Sequence, residues 1–168
     1  ASLGVSLSTL GGMFYEVSKE RRFIKSAFSK YLSPEVIKIL VARPQSLKLG
    51  GDRREITTLF CDLRGFTRLS EEMEPAQLTA LLTEVFTLLT AVIFKHKGTV
   101  DKYIGDALMA FFGAPLEQPD HALRACLAAK EMIREFGKQQ EDFKKRYGVE
   151  VNLGIGINTG MSLVGNMG

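Results

Sequence analysis

Cysteine is scarce in this chain. Cys61 and Cys126 lie far apart and outside any CxxC pattern. That spacing encodes neither a disulfide framework nor a zinc site, and it suits a reducing cytosol. Charge of one sign is also nearly absent in excess. Net charge is +3, and the basic residues are dispersed without interleaved aromatics, which argues against a nucleic-acid partner. No stretch reads as a complete transmembrane span, which needs roughly 20 apolar residues. The nearest candidate, residues 1–15 (ASLGVSLSTLGGMFY), stops short of that. The phosphate-binding pattern GxxxxGK[ST] is missing, as are internal repeats and low-complexity tracts.

What remains is a chain of 168 residues, 45% hydrophobic and 24% charged. This suffices for one globular domain with a real core, and not for two large ones. Lys19, Arg21, Arg22 and Lys25 follow the apolar start, a charge placement typical of the cytoplasmic end of a membrane helix. Residues 1–15 therefore read either as the last turns of such a helix or as a loose amphipathic lead-in. Residues 17–42 carry Phe23, Ile24, Ala27, Phe28, Tyr31 and Leu32 at helical spacing. Ser33-Pro34 then reads as an N-cap and first helical position, opening a short helix through Leu40. Residues 43–53, with Pro44 and Gly50-Gly51, read as a linker. The division is thus a lead-in and linker over 1–53, with a juxtamembrane reading open, and a domain over 54–168.

Within the domain, Glu55–Asp62 is β-branched and apolar and predicts a buried strand. Pro75 opens a long helix whose apolar face is Leu78, Leu81, Leu82, Val85, Leu88, Leu89, Val92 and Ile93, closed by His96-Lys97-Gly98. Thr99–Tyr103 and Ala107–Phe112 predict two strands joined tightly through Gly105-Asp106. Asp120 to Arg146 predicts a second long helix with Ala122, Leu123, Cys126, Ala129, Met132, Ile133 and Phe136 on its apolar face. Val149–Ile157 alternates as a strand, Asn158-Thr159-Gly160 reads as a turn, and Met161–Val164 as the start of another strand. The order strand, helix, strand, strand, helix, strand is the ferredoxin-like βαββαβ arrangement of an α+β fold.

That topology brings two aspartates together. The third strand lies between the first and second and runs antiparallel to both. The end of strand one, at Asp62, then sits beside the start of strand three, at Asp106. Two carboxylates so placed repel unless a cation lies between them, and oxygen ligands near a nucleotide favour magnesium or manganese. Alone, either aspartate is an ordinary turn or cap residue. The segment Asp62-Leu63-Arg64-Gly65-Phe66-Thr67 runs from strand through a tight turn into a helix start, where free N–H groups suit phosphate oxygens.

These segments carry a resemblance. Asp62–Thr67, then Gly98 to Gly113 with Asp101-Lys102-Tyr103-Ile104-Gly105-Asp106 at its centre, then Gly154–Gly160 with Val164-Gly165-Asn166 behind it, resemble the successive blocks of class III adenylate and guanylate cyclases. The likeness runs from about residue 54 to the last residue. The lead-in around Ser33-Pro34-Glu35-Val36 is similar to bacterial membrane-anchored members with an upstream sensor. The resemblance implies that Asp62, Asp106 and the carbonyl of Leu63 bind two divalent cations, Mg²⁺ or Mn²⁺. It implies that the amides of Leu63, Arg64, Gly65, Phe66 and Thr67 cradle the triphosphate, and that Lys102 selects the purine. An ammonium at Lys102 donates to adenine N1, where guanine presents an N–H, so ATP and cyclic AMP are expected over GTP and cyclic GMP. The reaction implied is attack of the ribose 3′-hydroxyl on the α-phosphorus with release of pyrophosphate. A homodimer with shared active sites is implied too, as the cytoplasmic part of an inner-membrane protein.

The sequence ends at Gly168, before the segment in which the family carries a second purine contact and the asparagine and arginine that hold the ribose. Little turnover is therefore expected from this chain alone. Two further readings stay open: a guanylate cyclase, and a non-catalytic cyclase-like dimerisation or regulatory module. Retention of both Asp62 and Asp106 weighs against the second. Gly50-Gly51-Asp52, which invites a diguanylate cyclase reading, precedes strand one rather than lying in a central hairpin. His96, at a helix end, and His121, opening the second long helix, are given no metal role.

Overall fold

The structure is a computed structural model and describes residues 29, 31–42 and 51–165. The chain divides into two units, 1–30 and 31–168, and the architecture below is that of the second. The helix expected from residue 17 lies outside the described residues as far as residue 28, and so does the linker over 43–50.

The first element, α1 (Pro34–Ala42), begins where the Ser-Pro pair predicts. Ser33 Oγ accepts the amide of Val36 at 3.3 Å, the expected N-cap bond. Strand β1 (Asp52–Arg64) follows. It starts two residues before the expected domain boundary at residue 54 and three before the expected strand, because Asp52 and Arg53 already pair with Val164 and Leu163. A seven-residue helix, α2 (Phe66–Glu72), leads to α3 (Pro75–Lys95). Strands β2 (Thr99–Ile104) and β3 (Ala107–Phe112) form the hairpin, with Gly105 supplying the positive φ of +60° at the turn. Helix α4 (His121–Tyr147) and strand β4 (Asn152–Val164) complete the order.

The sheet order is β2-β3-β1-β4, with every neighbouring pair antiparallel, which is the ferredoxin-like arrangement. One face is the core. Leu59, Cys61 and Leu63 of β1, with Leu108, Ala110 and Phe112 of β3, pack under Leu81, Val85, Leu89 and Ile93 of α3 and Ala125, Ala128, Met132 and Phe136 of α4. The apolar stripe expected on α3 is the one it buries. By length and composition α3 is apolar enough to cross a membrane. Its packing on the sheet makes it a core helix here.

Two expectations fail. Asn158-Thr159-Gly160 is not a turn: β4 runs unbroken for 13 residues and pairs with β1 along its whole length. Thr159 Oγ1 lies 2.8 Å from Thr57 Oγ1, so turn-prone residues are held extended by their partner strand. The apolar face of α4 is also rotated. Ala125, Ala128, Ala129, Met132, Phe136 and Phe143 are buried, while Leu123 and Ile133 are about 60% exposed and Ala122 and Cys126 face solvent. Apolar residues occupy more than half of this helix's circumference, so spacing alone cannot choose the packed side. The small side chains at 125, 128 and 129 allow the closest approach to the layer beneath.

Candidate active site

The face of the sheet away from the helices is where the chemistry-bearing residues gather. Alternation along β1 sends Leu59, Cys61 and Leu63 inward and Phe60, Asp62 and Arg64 outward. The β1–β3 ladder ends with Cys61 opposite Leu108. Asp62 is thus one residue beyond the last rung on β1, and Asp106 lies two residues before Leu108, in the turn that leads into β3. The neighbourhood expected from topology is present at the level of the backbone. Leu63 buries its side chain in the core, so it can offer this site only backbone atoms.

Gly65 takes a left-handed conformation, φ 76° and ψ 16°, ahead of α2. The first helical bond runs from Leu69 N to Gly65 O, which leaves the amides of Phe66, Thr67 and Arg68 outside the helical ladder. Thr67 is exposed and Phe66 half-buried.

Lys102 reaches the same open face through an irregularity. Val100 pairs with Ala110 and Lys102 with Met109, so Asp101 is extruded as a bulge. Strict alternation from the buried Val100 would have turned Lys102 inward. Instead Lys102, Met109, Phe60 and Gly156 form one row across the open face. Tyr103 takes the inward side, where its ring meets Phe86 of α3 at 4.8 Å and its hydroxyl lies 2.9 Å from Thr90 Oγ1. The Lys102 ammonium is 3.4 Å from Asp101 Oδ2 and mostly exposed.

One expected meeting is not made at the side-chain level. The carboxylate of Asp62 leans toward β4, over Gly154, and Arg64 Nε lies 3.7 Å from its Oδ1. Asp106 ends the turn before β3, on the other flank of β1. Among the described residues no group of three or more His, Cys, Asp or Glu side chains gathers to hold a metal. The donor set at this end of the sheet is two carboxylates plus backbone oxygen. This is hard-ligand chemistry that fits Mg²⁺ or Mn²⁺ once substrate phosphates complete the shell.

Beneath the site, burial together with the negative charge of Asp62 pushes the Cys61 thiol up to about 12, so it stays protonated and unreactive. At the opposite end of β1 lies an open hollow of about 510 Å³, lined by residues that include Arg54, Glu55, Gly113 and His121. There His121 Nδ1 is 2.7 Å from the buried Thr57 hydroxyl, a structural bond remote from Asp62. His96 likewise pairs with Glu131 at 2.7 Å. Sequence reasoning missed the Asp101 bulge, the glycine floor at Gly154 and the apolar row around Phe60. Of these only the glycine left a mark in the sequence, in the alternating glycines 154 and 156.

Comparison with known proteins places this geometry. Residues 51–168 match the family described as the adenylate and guanylate cyclase catalytic domain. The chain is 31% identical over 149 residues to an adenylate cyclase of Anabaena cylindrica, spanning 88% of this chain and 28% of that protein. It is 34% identical to adenylate cyclase 1 of Rhizobium meliloti over 69% of this chain and 17% of that one. Among solved structures, a guanylyl cyclase is 42% identical, with a TM-score of 0.69, over 71% of this chain and 61% of that chain. The adenylyl cyclase CyaB from P. aeruginosa is 35% identical at the same TM-score, over 71% and 63%. The chain therefore spans under a third of these curated relatives and less than two thirds of the solved chains.

Proposed function

The chain belongs to the adenylate and guanylate cyclase catalytic-domain family, and on that premise we propose that it forms cyclic AMP from ATP. The observation that carries this reading is the shared open face. Asp62 of β1 and Lys102 of β2, the latter turned outward by the Asp101 bulge, share this face, and the β2–β3 turn carries Asp106 close to Asp62 in backbone register. Asp62, Asp106 and the Leu63 carbonyl are the ligands for two divalent cations. When bound, these supply charge stabilisation at the phosphate oxygens and acidify the ribose 3′-hydroxyl.

The remaining roles fall to the chain itself. Backbone amides of Leu63 to Thr67 hold the triphosphate, with those of Phe66 and Thr67 lying outside the helical ladder that begins at Leu69. Lys102 donates to adenine N1 and fixes the base. In the reaction the 3′-oxygen bonds to the α-phosphorus, the bond to the bridging oxygen of the β-phosphate breaks, and pyrophosphate leaves. The hydroxyl proton passes to a base, for which Asp62 is within the site. Phe60, 47% exposed, and Ile104, 53% exposed, lie on the same face. An apolar surface of this kind beside charged groups suits a second copy of the domain closing over the nucleotide. The basic cluster Lys19 to Lys25 behind the apolar residues 1–15 supports a juxtamembrane reading of that segment, with this domain on the cytoplasmic side.

The test is titration of a non-hydrolysable ATP analogue and its GTP counterpart into the purified chain with Mn²⁺, beside Asp106→Ala. Mn²⁺-dependent binding of the ATP analogue, lost in the variant and stronger than that of the GTP analogue, is expected. Preference for the GTP analogue would move the chain to the guanylate cyclases, a reading favoured by its 42% identity to a solved guanylyl cyclase.

A further inference from the structure

Gly154 is buried although it lies on the open face of the sheet, opposite Asp62. What covers it is polar. A methyl group built at Gly154 would fall 2.2 Å from Asp62 Oδ1, 2.4 Å from Arg64 Nε and 2.8 Å from Arg64 Cζ. The Asp62 carboxylate and the Arg64 guanidinium therefore occupy the space that any other residue at 154 would fill. Asp62 and Arg64 are alternate residues of β1, so they share its outward face, and both lean across to β4. β1 has β3 on its other side, and Asp106 immediately precedes β3 in the turn. The carboxylate is thus directed away from the other aspartate, onto a shelf with a cationic neighbour.

We propose that Asp62 has two stations, and that Arg64 with the side-chain-free space over Gly154 forms a latch that holds it in the one away from Asp106. The inference rests on the reading of Asp62 and Asp106 as cation ligands. A divalent cation must draw the Asp62 carboxylate off the Gly154 shelf and across β1, so Arg64 and the cation compete for one carboxylate. The latch is weak by construction. Its separation is 3.7 Å, and the two side chains are 70% and 51% exposed. An exposed pair of that kind supports only a severalfold effect on a competing equilibrium. A gate of this strength biases cation loading without blocking it. It also leaves a guanidinium, once released, beside the amides that receive the triphosphate, where it offers bidentate donors to phosphate oxygen. Cation entry and nucleotide entry are then coupled through one side chain.

The experiment is titration of Mn²⁺ alone, followed by the EPR signal of the free ion, into the wild-type chain and into R64Q, G154A, R68Q and D62N. R64Q is expected to bind Mn²⁺ about two- to fivefold more tightly. R68Q removes an equal charge from the neighbouring helix, where Arg68 pairs with Glu72, and is expected to match wild type. G154A fills the shelf. Only flexible side-chain ends meet the added methyl, so the strand is kept, and Mn²⁺ is expected to bind as tightly as in R64Q. The inference is overturned if R64Q binds no more tightly than R68Q. It is equally overturned if folded G154A, checked by circular dichroism, binds more weakly than wild type, because the shelf would then be the cation-binding station. Loss of Mn²⁺ uptake in D62N with no gain in R64Q would sink the latch and leave the ligand assignment standing. No Asp62-dependent uptake in any variant would sink both.

Discussion

Lys102 stands opposite Met109 and not opposite Leu108, because Asp101 is extruded from the ladder between them. A one-residue slip in a strand moves a side chain to the other face of the sheet. Here it separates an ammonium on the open face from one driven against a fully buried leucine. The purine-reading role assigned to Lys102 depends on that bulge, and Tyr103 holds it in place through Phe86 and Thr90.

Lys102→Glu replaces a donor with an acceptor on the exposed face. We expect the affinity for an ATP analogue to fall at least about tenfold, the effect of losing one charge-assisted hydrogen bond of about 1.5–3 kcal/mol. The ratio of ATP- to GTP-analogue binding should fall with it. Competition between the two analogues measures this, and an unchanged ratio would remove Lys102 from the purine site.

Phe60 is 47% exposed in the row that includes Lys102. Phe60→Ser should lower the thermal midpoint only modestly, since about half of the residue is already exposed in the monomer, and should weaken self-association. Sedimentation at rising concentration reads both species. A variant that self-associates like wild type would place the dimer contact elsewhere.

The two cysteines should part sharply in reactivity. Cys126 is exposed, whereas Cys61 is buried with its thiol held at about 12. A thiol reagent at neutral pH is expected to label one site quickly and the second only on denaturation. The same shift has a stability consequence with a definite sign. The folded state favours the protonated thiol, so its contribution is complete below 9.0 and is lost as pH rises toward about 12.

At the acid end the sign reverses. Lys95 and then His96 hold the Glu131 carboxyl at about 2, and Arg146 with Tyr147 does the same for Glu84, against an ordinary value of 4.5. Both carboxylates favour the ionised form in the folded state. Their contribution is therefore present above 4.5 and lost as pH falls toward about 2. The double variant E84Q/E131Q should show a flatter dependence of the denaturant midpoint on pH across that window. A slope equal to wild type would show that these surface pairs contribute nothing to folding.

Much of this was legible in the chain. Pro75 and the stripe from Leu78 to Ile93 gave α3 its start and its packed face, because a 21-residue helix with one apolar side has one way to sit on a sheet. Gly105-Asp106 between two apolar runs gave the hairpin, and the order of elements gave the sheet. The order of strands in turn made neighbours of Asp62 and Asp106, which are distant in sequence. Asn158-Thr159-Gly160 misled, since turn propensity is a local quantity and β1 pairs with these residues from outside the local segment. Helix α4 misled for a related reason: with apolar residues on most of its circumference, only the surface it docks against selects a side.

The sequence by itself determined the family blocks, the βαββαβ order and the identity of the groups at the strand ends, because these follow from residue type and spacing along one dimension. Tertiary structure alone decided which face each group meets. The Asp101 bulge turned Lys102 outward, and β4 laid Gly154 beneath Asp62 and Arg64. Register between strands is a property of two segments at once, fixed by how their side chains pack and pair, and neither segment carries it alone.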